Sequence, residues 1–118
     1  MEVYIPLNMY FSDDLPLNFE GTYCYSDEFG YHHCEIERGQ KALNNKTYSL
    51  FEITYWIVRL PIADMASAFE KKNKKANQDF RRIMFGKELE LFQELEGNHK
   101  KRAEIDKEEI LKEYPFED

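Results

Sequence analysis

Aromatic and polar side chains alternate along residues 19–38, with one interruption. Alternation of this kind is typical of β-strands that have two different faces. The interruption has the sequence Asp27-Glu28-Phe29-Gly30, which fits a three-residue hairpin loop that ends at a glycine. We therefore predict a β-hairpin over residues 19–40. Residues 1–18 show no clear period, and we expect them to form an arm or an extra strand.

Beyond residue 48 the apolar residues recur at steps of three and four, which is the spacing of a helix. The sequence Ser49-Leu50-Phe51-Glu52 fits a capping box and predicts the start of a helix over 49–72. This helix is apolar on almost every side, so we expect it to be mostly buried. Pro61 should kink or break it, because proline cannot donate to the helical ladder.

Two further helices are predicted, over residues 78–96 and 99–113. Asn77 is the expected N-cap of the first, and Gly97 is placed to follow its last turn. The second ends before Pro115, because the residue before a proline is pushed out of the helical region. The side chains of this last helix that we expect in a core are Ala103, Ile110, Leu111 and Tyr114.

Strands followed by helices favour an α+β fold. We expect an N-terminal β-hairpin or small antiparallel sheet packed against three to four C-terminal helices. The length of 118 residues fits a single domain over 1–118. Its parts would be the arm or strand at 1–18, the hairpin at 19–40 and a helical part at 49–114.

The composition excludes two broad classes of protein. Eighteen aromatic residues argue against disorder. The net charge of −7 gives no sign of a basic face, so we expect no direct contact with nucleic acid. Eight acids and one base fall in residues 1–40 and account for the whole net charge. These acids either keep the protein in solution or face a basic partner.

The sequence shows neither a basic and apolar leader nor an apolar run of membrane-spanning length. We therefore expect a cytoplasmic protein with no membrane contact. Two cysteines, Cys24 and Cys34, are too few for a secreted disulfide scaffold, and we expect them as thiols. The pattern leaves the oligomeric state open.

Cys24, His32 and Cys34 are the candidates for a metal site. In the predicted hairpin Cys24 lies opposite Cys34 with His32 on the same face, so the three could meet as zinc ligands. No second pair of ligands at zinc-finger spacing accompanies them. Two half-buried structural thiols or a redox switch are the other interpretations. We expect no metal and no cofactor.

The pair His32-His33 invites a catalytic interpretation. Adjacent strand residues point to opposite faces, however, so the two rings cannot act together. A catalytic histidine also needs a nucleophile and an orienting acid. The sequence has no glycine-rich phosphate loop, nucleophile elbow or paired-histidine zinc motif. We therefore predict no catalytic residues and no enzyme activity.

The hairpin is the predicted partner-binding surface. In the predicted register one face carries Tyr23, Tyr25, Tyr31 and His33 beside acids, and more acids lie at the tip. Tyrosines with acids suit contact with a basic protein surface. The candidate contact residues are Asp27, Glu28, Tyr31, His33, Glu35 and Glu37. The opposite arrangement, with the tyrosines inward and the cysteine face outward, fits the same alternation.

The segment Gln78-Asp79-Phe80-Arg81-Arg82 opens the second helix with a high density of charge. One interpretation is a surface face with a single ion pair. The other is a buried guanidinium that ties this helix to the hairpin.

Several short sequences occur in the order found in one family of proteins. In the hairpin they are Gly30-Tyr31-His32 and Glu37-Arg38-Gly39. In the helical part they are Tyr55-Trp56-Ile57-Val58, Met65-Ala66, Gln78-Asp79-Phe80-Arg81-Arg82 with Phe85, Leu89-Glu90-Leu91, Ile110-Leu111 and Pro115-Phe116-Glu117-Asp118. On these residues the chain resembles the bacterial immunity protein 63 family over roughly residues 20–118.

The resemblance implies a non-enzymatic protein that binds a cognate polymorphic toxin domain and protects the bacterium that makes it. It supplies no catalytic residues. If the toxin is a nuclease with a basic cleft, an acidic hairpin would compete with phosphate for that cleft. Two other interpretations stay open: an adaptor or regulatory module unrelated to toxins, and a small hydrolase that uses His32 or His33.

Overall fold

The computed structural model describes residues 9–95 and 97–118. Its strands are β1 (Met9–Tyr10), β2 (Gly21–Asp27), β3 (Gly30–Glu37) and β4 (Gln40–Thr47). Its helices are α1 (Leu50–Lys72), α2 (Phe80–Gln93) and α3 (His99–Glu113). The fold is therefore α+β, with an N-terminal sheet and C-terminal helices, as predicted. Residues 1–8 of the predicted arm lie outside the described residues.

The sheet has the order β1-β2-β3-β4. β2, β3 and β4 are antiparallel neighbours, and β1 pairs in parallel with β2. Strand β4 was not expected, because its sequence is polar and lacks the alternation that marks β2 and β3. Most of its side chains are exposed, so the strand is held by its backbone pairing with β3 rather than by a buried face. Polar side chains are typical of such edge strands.

Helix α1 begins as the sequence predicts. Ser49 Oγ accepts a hydrogen bond from the backbone N–H of Glu52 at 3.1 Å, which caps the first turn. The backbone N–H of Ser49 donates to Thr47 Oγ1 at 3.1 Å. Of the kink or break predicted at Pro61, the break is wrong, because α1 runs through this buried residue to Lys72 as one helix, and the kink stays a prediction.

Helix α2 begins at Phe80, with Asp79 as its N-cap. The Asp79 carboxylate accepts from the backbone N–H of Arg81 at 3.0 Å. The predicted cap Asn77 has a φ of 61°, in the left-handed region, and stands two residues too early. The C-cap is Glu94, so Gly97 does not directly follow the helix as expected.

Helix α3 has the predicted bounds, and two of its four expected core residues are at least partly inside: Ala103 is buried and Leu111 is half-buried. Its buried residues are His99, Ala103 and Lys107, which follow each other at four-residue steps. Ile110 and Tyr114, both expected in a core, are 38% and 63% exposed. The same face is therefore buried in its first half and exposed towards its C-terminal end. Lys107 is buried because it is paired with an acid of α2, which hydrophobicity alone does not reveal.

The chain divides into two compact units, of which the first ends at Val58 and the second is Arg59–Asp118. Tyr23, Cys34 and Tyr55 are among the buried residues of the first unit, and Ile62 and Phe92 are among those of the second. The single domain predicted from the length stays a prediction. None of the helices among the described residues combines the length and the apolarity that a membrane span requires.

Candidate protein-binding surface

Only two residues, Glu28 and Phe29, form the loop between β2 and β3. Asp27 and Gly30 pair across it. Asp27 Oδ1 lies 2.8 Å from the backbone nitrogen of Phe29, which donates to it, and 2.8 Å from Nε2 of His32. The hydrogen bond with His32 keeps the pKa of Asp27 below its usual range. The tip therefore holds a carboxylate in a fixed orientation.

Gly30 allows the end of β4 to approach the tip closely. Its φ is 115°, a conformation that side chains rarely adopt. A Cβ at this position would lie 2.8 Å from the carbonyl oxygen of Thr47 and 3.2 Å from the ring of Tyr48. The ring of Tyr48 therefore lies against the backbone of the loop, where it extends the surface of the tip.

We define the tip surface as the side chains of Asp27, Glu28, Phe29, Tyr31 and Tyr48. All of them except Phe29 line a pocket of about 340 Å³. Phe29 is 57% exposed and Tyr48 is 71% exposed. Large exposed aromatic side chains beside carboxylates have the composition of protein-binding surfaces. The tip surface is therefore the strongest candidate for contact with a partner in this unit.

The predicted contact residues do not all reach this surface. Asp27 and Glu28 are exposed on it, and Tyr31 is half-buried beside them. Glu37 is exposed at the opposite end of β3. Because a strand rises about 3.3 Å per residue, Glu37 lies about 23 Å along β3 from Gly30. A partner that covers the tip does not contact Glu37 through the same small patch.

His33 and Glu35 lie between the two ends of β3. His33 is 1% exposed, and its ring centroid is 6.3 Å from that of Trp56. It has no surface to offer a partner, so its place among the contact residues is corrected. Glu35 is half-buried, where the register between β3 and β4 shifts.

The register between β2 and β3 differs from the predicted one by one residue. Cys34 pairs with Tyr23, and Cys24 pairs with His33. Paired residues share a face and neighbours alternate, so Tyr23 lies on the opposite face from His33. The expected single face with all four aromatic residues is therefore wrong. The cause is the two-residue loop, because a slip of one residue exchanges the faces of a strand.

The same register separates the candidate metal ligands. Cys24 and Cys34 lie on opposite faces of the hairpin. His32 stacks on Tyr25 with ring centroids 4.4 Å apart and holds Asp27. Burial raises the pKa of the Cys24 thiol to about 11, which favours the protonated form. The three predicted ligands do not meet, and no cluster of three metal-binding side chains occurs in residues 9–95 and 97–118.

Sequence reasoning missed the aromatic half of the tip surface. The pattern places Phe29 in a turn, and Tyr48 lies between the predicted hairpin and the predicted helix. The sequence position gave the opposite indication, since Tyr48 directly precedes the helix cap Ser49. An apolar residue there usually packs on the first turns of the helix, yet Tyr48 is 71% exposed.

The sequence model of a family described as immunity protein 63 matches residues 26–109. This range includes the whole tip surface and more than two thirds of the chain. Neither a curated protein nor a solved structure matches the chain. The match confirms the resemblance seen in the short sequences of the hairpin and helices. The chain belongs to the immunity protein 63 family.

Proposed function

We propose that this protein binds the toxic domain of a cognate polymorphic toxin and thereby protects the bacterium that makes both. The observation that carries the proposal is the tip surface, where Phe29 and Tyr48 are largely exposed beside Asp27 and Glu28. This surface falls within the residues that match the family. Exposed aromatic side chains that leave water on contact supply much of the affinity of protein interfaces.

The acids of the tip indicate the charge of the partner. Asp27 is held as a carboxylate by His32, and Glu28 is exposed next to it. A basic surface would be attracted to these groups and guided into register. We propose that the toxin presents such a surface, and a nuclease with a basic substrate cleft fits this description. The tip would then occupy the place of the phosphates.

The proposed mechanism is occlusion without a chemical step. His32 is engaged by Asp27 and Tyr25. His33 is buried, and neither histidine of the hairpin is placed in an exposed group with a nucleophile. Protection by binding alone requires one immunity protein for each toxin molecule, and it leaves the toxin chemically intact.

Co-expression with the toxic domain encoded beside this gene tests the proposal. The expected result is rescue of growth together with a one-to-one complex that co-purifies. The variant Phe29→Ala should weaken the complex at least tenfold, because it removes a central aromatic side chain. Leu17→Ala is the matched control, since Leu17 is 92% exposed and precedes β2 at the end of the hairpin away from the tip.

The outcomes separate the proposal from the two other interpretations. Rescue without a complex would contradict occlusion and favour an enzyme that uses His32 or His33. A toxic neighbour that is neither bound nor neutralised would favour an adaptor unrelated to toxins. A complex that Phe29→Ala leaves unchanged would show that the toxin binds a different surface.

A further inference from the structure

The pocket of about 340 Å³ at the hairpin tip, called the tip pocket below, is lined by aromatic rings and carboxylates. The rings belong to Tyr31 and Tyr48, and the carboxylates belong to Asp27 and Glu28. Tyr48 is 71% exposed, so most of its ring is open to contact with a partner. These four residues belong to the same compact unit and to the range that matches the family.

The chain itself places a cation beside the tip pocket. Lys46 Nζ lies 5.3 Å from the centroid of the Tyr48 ring, which is within the range of a cation–π contact. Lys46 pairs with His32 across β3 and β4, and paired residues share a face, so Lys46 lies on the face where His32 holds Asp27. After the hydrogen bond from His32, the charge of Lys46 also helps to lower the pKa of Asp27. The ring and the carboxylate therefore both interact with a positive charge.

Lys46 does not fill the tip pocket. Its side chain is exposed, and among the described residues the lining of the pocket includes no cationic side chain. Two carboxylates and the electron-rich faces of tyrosine rings attract a cation together. An anion would be repelled by both carboxylates, and an apolar side chain would remove water from them without replacing its hydrogen bonds.

We propose that the tip pocket receives one cationic side chain of the toxin domain, and that Lys46 weakens this contact by repulsion. The proposal rests on the proposed function, since it names the chemical group of the toxin that the tip surface recognises. The position of Lys46 gives the proposal a sign that can be measured. Removal of its charge should strengthen the binding of a cation, whereas it would weaken the binding of an anion.

NMR titration of the full chain at low ionic strength tests the tip pocket without the toxin. The probes are the amides of N-acetylarginine and N-acetyllysine, in which the side chain carries the only charge. The expected amide shifts are saturable, in the millimolar range, and cluster in residues 26–31 and 46–48. N-acetylcitrulline amide has nearly the shape of the arginine probe without its charge, and it should bind at least about threefold more weakly. The cationic probe that binds more tightly identifies the preferred side chain.

Two lysine variants test the role of Lys46. Lys46→Gln should tighten the binding of the cationic probes at least about twofold, because it removes a nearby like charge. Lys41→Gln is the matched control, since it removes the same charge near the other end of β4 and should bind the probes as the unchanged protein does. Both lysines are exposed, so neither change should disturb the fold.

Two variants of Tyr48 test the contribution of its ring. Tyr48→Leu keeps an apolar side chain without the ring and should weaken the binding of the cationic probes at least about twofold. Tyr48→Phe keeps the ring and should bind them nearly as the unchanged protein does. Tyr48 is mostly exposed, so both variants should fold.

Several results would overturn the proposal. They are the absence of saturable shifts at the tip, equal binding of the citrulline probe, weaker binding of the cationic probes by Lys46→Gln, and equal effects of Lys46→Gln and Lys41→Gln. The last result would show that only the net charge of the protein matters.

The same variants in the complex with the toxin domain separate this proposal from the proposed function. Lys46→Gln should tighten that complex at least about twofold, and Tyr48→Leu should weaken it. A complex that forms but responds to neither variant would overturn the tip pocket as the place of a toxin cation and leave toxin binding intact. Binding of the probes without any toxin complex would instead overturn the proposed function and leave a cation site at the tip.

Discussion

Gly30 is the residue on which the shape of the tip most directly depends. Its left-handed backbone closes the loop of two residues, and its missing side chain makes room for Thr47 and Tyr48. Gly86 offers a contrast within the same chain, because it lies inside α2 and a Cβ there would meet open space. The two glycines therefore differ in what an alanine would do.

Gly30→Ala should destabilise the protein by about 1–3 kcal/mol, since it adds backbone strain and a contact of 2.8 Å with the carbonyl oxygen of Thr47. Gly86→Ala should stabilise it by about 0.5–1 kcal/mol, because alanine is the better helix former. Urea unfolding of both variants measures the difference. If both variants changed the free energy of unfolding in the same direction, the close approach seen at Gly30 would be contradicted.

The hydrogen bonds to Asp79 lead to a second testable prediction at the scale of single residues. The side-chain hydrogen bond from Arg81 lowers the pKa of Asp79, and the backbone N–H groups of Arg81 and Glu117 add to this. Because the pKa is lowered in the folded protein, the carboxylate stabilises the fold at pH values above the pKa of the unfolded chain, which is near 3.8. This contribution is lost as the pH falls from that value towards the lower pKa of the folded state.

Asp79→Asn should therefore lower the melting temperature at pH 6, and the gap from the unchanged protein should close as the pH falls below about 4. Thermal melts between pH 2.5 and pH 7 measure this gap. Asp64→Asn removes an exposed carboxylate from α1 and should leave the melting temperature nearly unchanged. A gap for Asp79→Asn that is the same at every pH would show that its carboxylate does not carry the contribution.

At the scale of elements, the sequence predicted well which segments form helices or the hairpin. It predicted less well how the strands pair with each other. The alternation in residues 19–38 was enough for the hairpin, but its register depended on whether the loop has two residues or three. Gly30 permits both kinds of loop, so the pattern could not decide. Strand β4 was missed because its pairing with β3 comes from the backbone, which leaves no mark in its polar sequence.

The candidate site shows the same limit. Asp27 and Glu28 were predicted at the tip from local turn chemistry, which a sequence displays directly. His33 was misplaced because its burial depends on which face of the hairpin packs inward. The close approach of the Tyr48 ring to Gly30 joins residues that are distant in the sequence, and such contacts leave no periodic signal.

A buried ion pair joins helices α2 and α3. It leads to a testable prediction about how these two elements are held together. Lys107 Nζ lies 3.3 Å from Glu88 Oε2, and both side chains are at most 10% exposed. Burial raises the pKa of Glu88 even though Lys107 opposes the shift. The pair therefore does not fully offset the cost of burying the carboxylate. Because the pKa of Glu88 is raised in the folded protein, the free energy of unfolding falls as the pH rises through that pKa.

Lys107→Met alone should cost about 3–5 kcal/mol at pH 7, because it leaves the Glu88 carboxylate buried without its partner. The cost should shrink below pH 4.5, the ordinary pKa of a glutamate, where the carboxyl is neutral in both states. The double variant Glu88→Met, Lys107→Met should be neutral or up to about 4 kcal/mol more stable than the unchanged protein. Urea unfolding at both pH values measures these differences. A double variant as unstable as the single one would contradict the reasoning.

At the scale of the whole molecule, the distribution of charge matters more than its total. The acids of residues 1–40 carry the net charge of −7, while the bases and acids of residues 71–118 balance. A basic toxin would therefore be attracted towards the N-terminal unit before any contact forms. The aromatic rings of the tip act only after contact, so charge should govern the rate of association and the rings the rate of dissociation.

Two charge reversals at exposed positions separate a local effect of the tip from a general effect of net charge. Glu28→Lys and Asp14→Lys change the total charge by the same amount, but only Glu28 lies on the tip surface. Stopped-flow mixing with the purified toxin domain should show association slowed at least threefold more by Glu28→Lys than by Asp14→Lys. Added salt should reduce the difference, because it screens interactions beyond about 10 Å at 0.1 M. Equal slowing by both variants would mean that the toxin responds to the acidic unit as a whole and that Glu28 has no special position in the encounter.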